Sequence, residues 1–512
     1  MIAAEKSKGI EIRQNPAFAV MLMGALLLLL AVGAAAYVVS TFVSASQTYQ
    51  GQPTGTLILG YLNDTGLILP LVAVALGVWF FRLGFGVLWR EYSAAGWARM
   101  VFTWLLVAVV ILIIRDVGLI LTGDARPADV IATSFPLLLL GGALGYSLWW
   151  LAQYIETAFN GQESLLSAST RTAWNLLIPT VFVLLIVAAR PLEETFISSL
   201  TDAQFARNQT VNFVGIDNYA RLLGFRFDRI SCERGEDGTC VREEDGAVVF
   251  PRPREVLGER YTELRYRDVF TITLGSSQLL FSARDRDFME AISNTLLFSV
   301  ISVTLETLLG LGIAMVINSK FPGRGLMRAA ILVPWAIPTV VSARLWEMML
   351  RDNQSGIINY LFVSTGIFQG SQAWLANTDL QLISIIAVDV WKTTPFMALI
   401  ILAGLQVIPS DIYEAADVDG ASKVRQFFSL TLPLLRPTLA VALVFRTLDA
   451  IRVFDVFQVL LGRQKLSMAT YNYETLIQNQ DLGYASAIGV VIFIIILIFT
   501  VTYVRILGVS AE

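Results

Sequence analysis

The sequence predicts an all-α polytopic membrane protein with about ten transmembrane helices and a small β-containing domain in one extracytoplasmic loop. Three observations support this fold class. Hydrophobic residues occupy 55% of the 512 positions. Charged residues occupy only 15%, whereas soluble domains contain roughly 25%. About ten separate runs are also apolar over the roughly 20 residues that a bilayer-spanning helix requires.

The predicted spans are distributed unevenly, with one long polar segment after the fifth. Their approximate ranges are 17–43, 66–88, 100–122, 133–155, 172–190, 291–317, 327–349, 381–407, 437–460 and 484–506. The first run also resembles a signal peptide, because Ala34, Ala35 and Ala36 form a possible cleavage site. Its apolar stretch is longer than the about 7–15 residues of a signal-peptide core, so we interpret it as a retained span.

Lysine and arginine are distributed asymmetrically across the predicted membrane. If the N-terminus is cytoplasmic, the cytoplasmic side receives Lys6, Lys8, Arg13, Arg90, Arg99, Arg171, Lys320, Arg324, Arg328, Lys423, Arg425 and Arg436. The opposite side receives Arg126, Arg351, Arg463 and Lys465. Because cytoplasmic loops carry the excess of basic residues, we expect a cytoplasmic N-terminus. An even number of spans then places the C-terminus on the same side.

Residues 191–288 form the long polar segment, which this topology places outside the cytoplasm. Both cysteines of the chain, Cys232 and Cys240, fall within it. They could form a disulfide bond across a hairpin or remain free thiols. The alternating residues at Ala247–Phe250 and Val269–Leu274 predict short β-strands.

A second polar stretch, residues 410–437, separates two apolar runs and predicts a helix–turn–helix outside the bilayer. Asp411 and Glu414 have the spacing of a capping box, which predicts a helix start. Gly420 is placed to end that helix, because glycine adopts the left-handed conformation without a Cβ penalty. A second short helix is predicted over 422–432.

The composition excludes several kinds of site. The chain has no histidine and only two cysteines, so we expect no metal site and no histidine-based catalysis. No G-x-x-x-x-G-K-[ST] motif occurs. We therefore expect no catalytic residues and no bound cofactor, and if ATP drives the protein, a partner subunit must bind the nucleotide. Apart from the lipid bilayer, nothing in the composition predicts a partner such as nucleic acid.

Charged residues inside two predicted spans mark a candidate solute site, because charge is costly in a bilayer and usually faces a cavity or a partner. The eighth span contains Asp389 and Lys392. The ninth contains, three residues apart, Arg446, Asp449, Arg452 and Asp455. Neighbours in this series could pair along one helix face. The groups could bond solute hydroxyls in a cavity or could hold helices together as ion pairs, and the residues alone leave both open. For Arg115, Asp116 and Glu306 we favour ion pairing.

The polar stretch at 410–437 also resembles a known family. Its E-A-A at 414–416, D-G-A at 419–421 and L-P at 432–433 are similar to the EAA loop of permease subunits in binding-protein-dependent ABC importers. Further motifs resemble the larger, MalF-type permease of maltose/trehalose importers. These are N-L-L-I-P-T at 175–180, V-G-I-D-N-Y at 214–219, N-T-L-L-F-S at 294–299, P-W-A-I-P at 334–338, W-K-T-T-P-F-M at 391–397, F-D-V-F at 454–457 and G-Y-A-S-A-I at 483–488.

The resemblance implies a domain organisation. Residues 172–512 would form a permease core of six spans, which contains the loop subdomain at 191–288 and the cytoplasmic coupling loop at 410–437. Residues 1–171, with about four spans, would form an N-terminal extension that carries none of these motifs. The L-L-G-R-Q-K-L-S stretch at 460–467 departs from the G-G-P turn of many relatives.

The resemblance also implies a function, namely the permease subunit of an ATP-driven importer for an α-glucoside such as maltose, trehalose or a maltodextrin. Transport would proceed by alternating access, without covalent chemistry on this chain. The implied ATPase-coupling residues are Glu414, Ala415, Ala416, Asp419 and Gly420. The implied substrate-binding residues are Asp389, Thr393, Phe396, Asp449 and Arg452.

The family context further implies a multi-pass protein of the prokaryotic inner membrane with several partners. These are two ATPase subunits carrying ATP and Mg, a second permease that we expect to be a different and shorter chain, and an extracytoplasmic sugar-binding protein. The alternative is a proton-coupled secondary transporter whose intramembrane Asp and Arg residues relay protons. A sensory or scaffold protein is a further possibility, and within the importer hypothesis the solute could be a polyol or glycerol phosphate.

Overall fold

The computed structural model describes residues 16–51, 54–122, 127–160, 165–206, 210–235, 239–242 and 247–506. Helix dominates these residues, which confirms the all-α class. The chain divides into two compact units, Met1–Ile197 and Ser198–Glu512. The fifth predicted span, 172–190, therefore belongs to the same compact unit as the N-terminal extension. The two chain ends lie outside the described residues, and so do four basic residues used in the topology prediction, namely Lys6, Lys8, Arg13 and Arg126.

The N-terminal unit consists of long apolar helices joined by short turns. In chain order these are α1 (Pro16–Thr48), α2 (Thr54–Thr65), α3 (Ile68–Leu88), α4 (Tyr92–Thr122), α5 (Pro127–Ala158), α6 (Leu165–Leu184), a π-helical turn (Leu185–Ala189) and α7 (Arg190–Ser198). Helix α1 packs against α3, and α4 packs against α5. Phe102, Trp150 and Leu151 are fully buried in the core between them. Trp104 Nε1 donates to Asn175 Oδ1 at 3.1 Å, which links α4 to α6.

One ion pair lies within α4. Arg115 and Asp116 are adjacent, and their side chains meet at 2.7 Å. Asp116 is buried, and it accepts a hydrogen bond of 3.0 Å from Ser134 Oγ on α5. The pair therefore connects two packed helices, in agreement with the interpretation of Arg115 and Asp116 as a structural pair.

The C-terminal unit opens with a small mixed domain. Its elements are α8 (Asp217–Leu222), β1 (Phe225–Ser231), α9 (Pro253–Val256), α10 (Glu259–Glu263), β2 (Arg267–Leu274) and β3 (Ser277–Ala283). The strands form an antiparallel sheet in the order β1-β3-β2. Cys232 and Cys240, just after β1, are joined by a disulfide bond.

One predicted strand of this domain is confirmed and one is wrong. Val269–Leu274 lies within β2. Ala247–Phe250 is not a strand, and Val248 makes only an isolated bridge to Arg242. Pro251 and Pro253 follow directly, and proline lacks the N–H group that a strand ladder requires.

The remaining helices of this unit include the long apolar ones. They are α11 (Arg286–Asn318), α12 (Arg324–Ile331), α13 (Val333–Ala336), α14 (Thr339–Met349), α15 (Ile357–Ser364), α16 (Thr378–Val407), α17 (Ser410–Val418), α18 (Lys423–Gln426), α19 (Leu432–Ile451), α20 (Asp455–Leu460), α21 (Met468–Tyr473) and α22 (Leu482–Ile506). Two π-helical turns, Phe427–Thr431 and Glu474–Gln478, precede α19 and α22.

The helices of the described residues reproduce the predicted spans. Seven straight helices are long and apolar enough to cross a membrane, and there are ten such segments if each bent helix pair is one span. The straight segments are Ala17–Thr48, Ile68–Leu88, Tyr92–Leu119, Ser134–Ala158, Arg286–Asn318, Thr378–Val407 and Leu482–Tyr503. The bent pairs are Ser169–Leu184 with Val187–Ser198, Arg324–Ala336 with Thr339–Met349, and Lys423–Leu434 with Arg436–Leu460. The prediction of about ten spans is confirmed.

Two predicted spans are not straight. The 327–349 run bends by 89° between Ala336 and Thr339, where Pro338 is the N-cap of α14 and supplies no N–H for a continuous helix. The 437–460 run belongs to a segment that bends by 65° next to Pro437, and its helix is interrupted again between α19 and α20.

Helix α16 forms the centre of the C-terminal unit and is the most buried of the seven straight spans. It runs unbroken through Pro395 and packs against α11 and α19. At the α11 contact, a Cβ atom on Gly310 would lie 3.0 Å from Met397 Cβ and 3.1 Å from the backbone nitrogen of Ala398. Glycine thus allows the close approach that places the polar residues of α11 and α16 side by side.

Candidate functional site

A cavity of about 240 Å³ lies between the α13–α14 break, α16 and the α19–α20 break. Both breaks expose backbone and side chains that a continuous helix would direct elsewhere. The lining residues are Trp335, Thr339, Asp389, Lys392, Thr393, Arg446, Asp449, Arg452, Val453, Phe454, Asp455 and Val456. Most of these side chains are polar or charged, which is unusual for the interior of a helical membrane protein.

A buried cluster of charged residues forms the floor of this cavity. Arg446 on α19 donates from Nε and Nη2 to both carboxylate oxygens of Glu306 on α11, the Nη2–Oε1 distance being 2.9 Å. Its Nη2 also donates to Asp389 Oδ2 on α16, and its Nη1 lies 3.3 Å from Asp449 Oδ2. The exposed fractions of Glu306, Asp389 and Arg446 are 0%, 6% and 2%. The predicted pairing of Glu306 across helices is confirmed.

Thr393 extends the cluster along α16. Its Oγ1 lies 2.5 Å from Glu306 Oε1 and 2.7 Å from the carbonyl oxygen of Asp389. A hydroxyl has one proton to donate, so it serves one of these acceptors at a time. Three helices therefore meet through hydrogen bonds among the side chains of Glu306, Asp389, Thr393 and Arg446.

The cluster leaves some charged groups accessible to a solute and others not. Asp389 and Arg446 are engaged with each other and are buried. Asp449 has 66% of its side chain exposed, and Arg452 and Asp455 are also exposed. The accessible polar surface of the cavity is thus formed by Asp449, Arg452 and Asp455, and the buried cluster fixes the helix that carries the first of them.

Lys392 stabilises the wall formed by the broken span. Its Nζ donates to the carbonyl of Ile337 at 2.7 Å and lies 3.5 Å from the carbonyl of Trp335. These carbonyls lie where the helix is interrupted, and such groups need a partner other than the next helical turn. A cation is well suited to the C-terminal end of a helix, where carbonyl oxygens concentrate negative charge. Lys392 therefore holds the segment that presents the Trp335 ring.

The structure brings four of the five predicted substrate-binding residues together at the cavity: Asp389, Thr393, Asp449 and Arg452. Phe396 lies behind the cavity wall, where its ring stacks on Trp335 with centroids 5.7 Å apart and 13° between the ring planes. Along α19, only Arg446 and Asp449 form the predicted charge pair. Arg452 and Asp455 lie at and beyond the end of that helix, so they do not follow its spacing.

Sequence reasoning did not single out five of the lining residues, which are Trp335, Thr339, Val453, Phe454 and Val456. A signal for the first two was present, because the prolines in P-W-A-I-P favour a break in the span. Phe454 belongs to the F-D-V-F motif, but nothing in that motif indicates that α19 ends before it.

The turn between α17 and α18, residues 419–422, is called the coupling turn after its predicted role. It contains a well-defined C-terminal cap of α17. Gly420 adopts a left-handed conformation with φ of +73°. The backbone nitrogen of Ala421 donates to the carbonyl of Ala416 at 2.9 Å, and that of Gly420 donates to the carbonyl of Asp417 at 3.1 Å. This pair of bonds is the Schellman arrangement, so the predicted end of the helix at Gly420 is confirmed.

A local polar network closes the same turn. Asp417 accepts hydrogen bonds from Lys423 Nζ at 2.7 Å and from Gln426 Nε2 at 2.6 Å. These donors lower the pKa of the Asp417 carboxyl below its ordinary value. The Ser422 hydroxyl caps α18 by accepting from the backbone nitrogen of Arg425 at 3.3 Å.

One detail predicted for this turn is wrong. The helix begins at Ser410 with Pro409 as N-cap, and no side chain caps it, so Asp411 and Glu414 do not form a capping box. The second helix agrees with the prediction, because the helical segment that begins at Lys423 runs to Leu434 before a bend of 65°. Proline at 409 has already fixed an extended entry to the helix, and Asp411 therefore falls inside its first turn.

The predicted coupling residues form an accessible surface. Glu414, Ala415, Asp419 and Gly420 are exposed, and Ala416 is partly exposed. Three large apolar side chains are exposed beside them, at 88% for Val418, 68% for Val424 and 62% for Phe428. Exposed apolar side chains in a group are typical of a protein contact surface. Sequence reasoning did not single out these three residues.

Comparison with known proteins gives a consistent result. Residues 306–508 match the family described as binding-protein-dependent transport system inner membrane component. The trehalose/maltose transport system permease protein MalF of Thermococcus litoralis is 44% identical over 227 residues, covering 43% of this chain and 75% of that protein. The sulfoquinovosyl glycerol transport system permease protein SmoG of Agrobacterium fabrum is 38% identical over 227 residues, covering 44% and 73%.

The trehalose transport system permease protein SugA of Mycobacterium tuberculosis is 37% identical over 229 residues, covering 44% of this chain and 72% of that protein. Each of these matches leaves more than half of the present chain unmatched but includes most of the relative. The chain belongs to the inner-membrane permeases of binding-protein-dependent ABC importers, and among them to the MalF-type sugar permeases.

Proposed function

We propose that this chain carries an α-glucoside of the maltose, trehalose or maltodextrin type across the inner membrane. The observation that supports this solute most directly is the accessible surface of the cavity, where Asp449, Arg452 and Asp455 lie near the Trp335 ring. Carboxylate and guanidinium groups bond pairs of hydroxyls, and an indole offers an apolar face to a sugar ring. The names of the Thermococcus and Mycobacterium relatives favour the same sugars.

The charge of the cavity favours a neutral solute over an anionic one. Its accessible groups are two carboxylates, Asp449 and Asp455, and one guanidinium, Arg452. The other two cations, Lys392 and Arg446, are occupied by protein acceptors. A phosphorylated solute would meet more negative than positive charge, and such contacts are unfavourable.

The size of the cavity supports a site that a conformational change or a second subunit completes. Its volume of about 240 Å³ lies below the roughly 300–1,000 Å³ of typical ligand pockets. We propose that a second permease, a different and shorter chain, supplies the facing wall. The breaks on either side of the cavity provide places where the walls could move during alternating access.

We propose that the coupling turn transmits the energy of ATP. Glu414, Ala415, Ala416, Asp419 and Gly420 would contact an ATPase subunit through this exposed surface, with Val418 as an apolar anchor. Two such subunits would bind ATP and Mg, because the present sequence has no P-loop. Their closure would displace α17. Through α18, this movement would reach α19, the helix that carries Arg446 and Asp449.

The remaining partners follow from the orientation proposed for the chain. The excess of lysine and arginine favours cytoplasmic N- and C-termini, which would place the coupling turn in the compartment that contains ATP. The 191–288 domain would then face outward, where an extracytoplasmic sugar-binding protein delivers the solute.

Uptake into proteoliposomes tests this proposal. The chain is reconstituted with the subunits encoded beside it, and uptake of labelled maltose and trehalose is measured with and without internal ATP. We expect ATP-dependent uptake that falls at least tenfold in Gly420→Val, because a β-branched residue does not tolerate the left-handed conformation. Gly370→Val is the matched control, since a Cβ on Gly370 meets no atom within 4 Å.

The same assay separates the competing hypotheses. ATP-independent uptake that a protonophore abolishes, unchanged in Gly420→Val, would replace the importer proposal with the secondary transporter. Competition by glycerol phosphate but not by either disaccharide would contradict the α-glucoside assignment alone.

A further inference from the structure

A second cavity, of about 230 Å³, lies in the N-terminal unit where α3 turns into α4. Its lining residues are Trp79, Arg82, Leu83, Glu91, Ser93, Ala94 and Trp97. It combines one cation, one anion and two indole rings. The family motifs fall elsewhere in the chain, so neither they nor the proposed sugar site accounts for this combination.

The turn that carries the carboxylate of this cavity is fixed on both sides. The backbone nitrogen of Glu91 donates to the carbonyl of Gly86 at 2.9 Å. The end of α5 holds the same turn, because Asn160 donates to the carbonyl of Arg90 at 2.7 Å and accepts from the nitrogen of Tyr92 at 3.1 Å. Arg90 has a φ of +58°, a conformation that is unfavourable for residues other than glycine and that these bonds maintain.

Arg82 lies within an apparent membrane span, the helix Ile68–Leu88. It precedes the end of that helix by six residues, which is about 9 Å along the axis. Arg82 is exposed and forms no ion pair with any residue that the structure describes. A charged side chain at that depth normally finds a counter-ion. Lipid phosphate is the anion that a bilayer supplies close to this level.

The rest of the cavity provides the opposite preference. The rings of Trp79 and Trp97 are 6.0 Å apart and nearly perpendicular, at 81°. Indole faces attract organic cations, and the Glu91 carboxylate adds a full negative charge beside them. A purely anionic headgroup would satisfy Arg82 but would leave Glu91 facing like charge. A ligand with both a phosphate and an ammonium group satisfies both residues.

We propose that this cavity binds the zwitterionic headgroup of a membrane phospholipid, with Arg82 on the phosphate and Glu91, Trp79 and Trp97 around the ammonium group. The extension would thereby hold one lipid of defined chemistry at the α3–α4 turn. Binding of this kind is independent of the sugar and of the proposed ATP coupling.

Lipid retention tests the assignment. The complete importer is purified from vesicles with equal parts of phosphatidylethanolamine, phosphatidylcholine and phosphatidylglycerol, and the retained lipids are counted by native mass spectrometry. We expect one retained lipid, enriched at least tenfold in the two amine-bearing classes over phosphatidylglycerol. Arg82→Gln should reduce retention about tenfold. Glu91→Gln should keep a lipid but lose the preference over phosphatidylglycerol.

The controls keep the result interpretable. Arg99→Gln, which removes another exposed arginine of the same helical hairpin, should leave retention unchanged. If Arg82→Gln does not fold, Trp97→Phe is the alternative variant. It is a milder change, and it should also reduce lipid retention. Displacement of the retained lipid by soluble phosphoethanolamine would support the headgroup contacts. Binding of that compound with no lipid retained would overturn the lipid assignment, as would equal retention of all three lipids.

Discussion

Two polar networks of the C-terminal unit each join carboxylate and basic side chains, but one is buried and the other lies at the surface. Around Arg446 of α19, the carboxylates of Glu306 on α11 and Asp389 on α16 meet in a buried site. Around Asp417, which is exposed, an exposed lysine and a buried glutamine from the next turn of chain donate to one carboxylate. The first network joins residues up to 140 positions apart, and the second joins residues at most nine apart.

The two networks have different structural roles. A buried long-range cluster determines where three helices stand relative to one another, and removing one partner leaves an uncompensated charge. A local network at the surface determines only the shape of a turn, because water and salt can replace its exposed ion pair. The cavity thus depends on a network that is intolerant of change, whereas the coupling turn relies mainly on backbone geometry at Gly420.

Of the substitutions considered, replacing Arg446 should reduce the stability of the protein most. In Arg446→Met, the buried carboxylates of Glu306 and Asp389 face each other without a counter-charge. We expect a loss of about 3–5 kcal/mol of stability, measured as the thermal unfolding of the purified protein. Arg286→Met, which removes an exposed pair with Glu290, is the matched control and should cost less than about 1 kcal/mol.

A combined variant tests whether charge is the cause. Adding Glu306→Gln and Asp389→Asn to Arg446→Met should restore part of the lost stability, because no buried charge is then left unpaired. A triple variant that is no more stable than Arg446→Met would show that packing, and not charge, determines the effect.

Replacing Lys392 should produce an intermediate effect. Lys392→Met leaves the carbonyl of Ile337 without its donor, which costs about 1–3 kcal/mol for a buried group. Because the segment bearing Trp335 loses its support, we expect KM for sugar uptake to rise more than kcat falls. Lys465→Met is the control, since Lys465 makes a similar 3.1 Å bond to the carbonyl of Thr378 at an exposed site. An equal change in both variants would contradict the role of Lys392.

Replacing Asp417 should have the smallest effect, and that effect should depend on pH. The pKa of Asp417 is lowered by its donors, so its contribution to stability is present above the ordinary carboxyl pKa and is lost as pH falls through the lowered value. The difference in melting temperature between wild type and Asp417→Asn should therefore vanish in acid, and it should shrink at high salt. If the difference in melting temperature stayed constant from neutral pH down to acid, the proposed contribution of the Asp417 carboxylate would be contradicted.

The sequence was sufficient for the spans and for the end of the coupling helix, because both depend on local signals. Apolar runs of sufficient length predict helices in a bilayer irrespective of their neighbours. Gly420 predicts a left-handed cap for reasons internal to one residue. The capping box at Asp411 and Glu414 failed for a local reason too, since the N-cap is Pro409, two positions before Asp411.

The cavity was only partly predictable, because it depends on where helices break and meet. Charge inside a span indicated Asp389, Asp449 and Arg452, but it did not indicate which of them would be buried. The position of Trp335 follows from a bend of 89° and from a lysine on another helix. Such long-range partners leave no periodic pattern in the sequence.

The disulfide bond between Cys232 and Cys240 has a practical consequence. These are the only two cysteines in the chain, and both are bonded. Under non-reducing conditions the native protein therefore presents no reactive thiol. A single cysteine placed at Ser422 or at Gly370 would be the sole target of a membrane-impermeant maleimide. The sidedness of each loop can thus be determined by labelling sealed vesicles, one position at a time, in an otherwise unaltered chain.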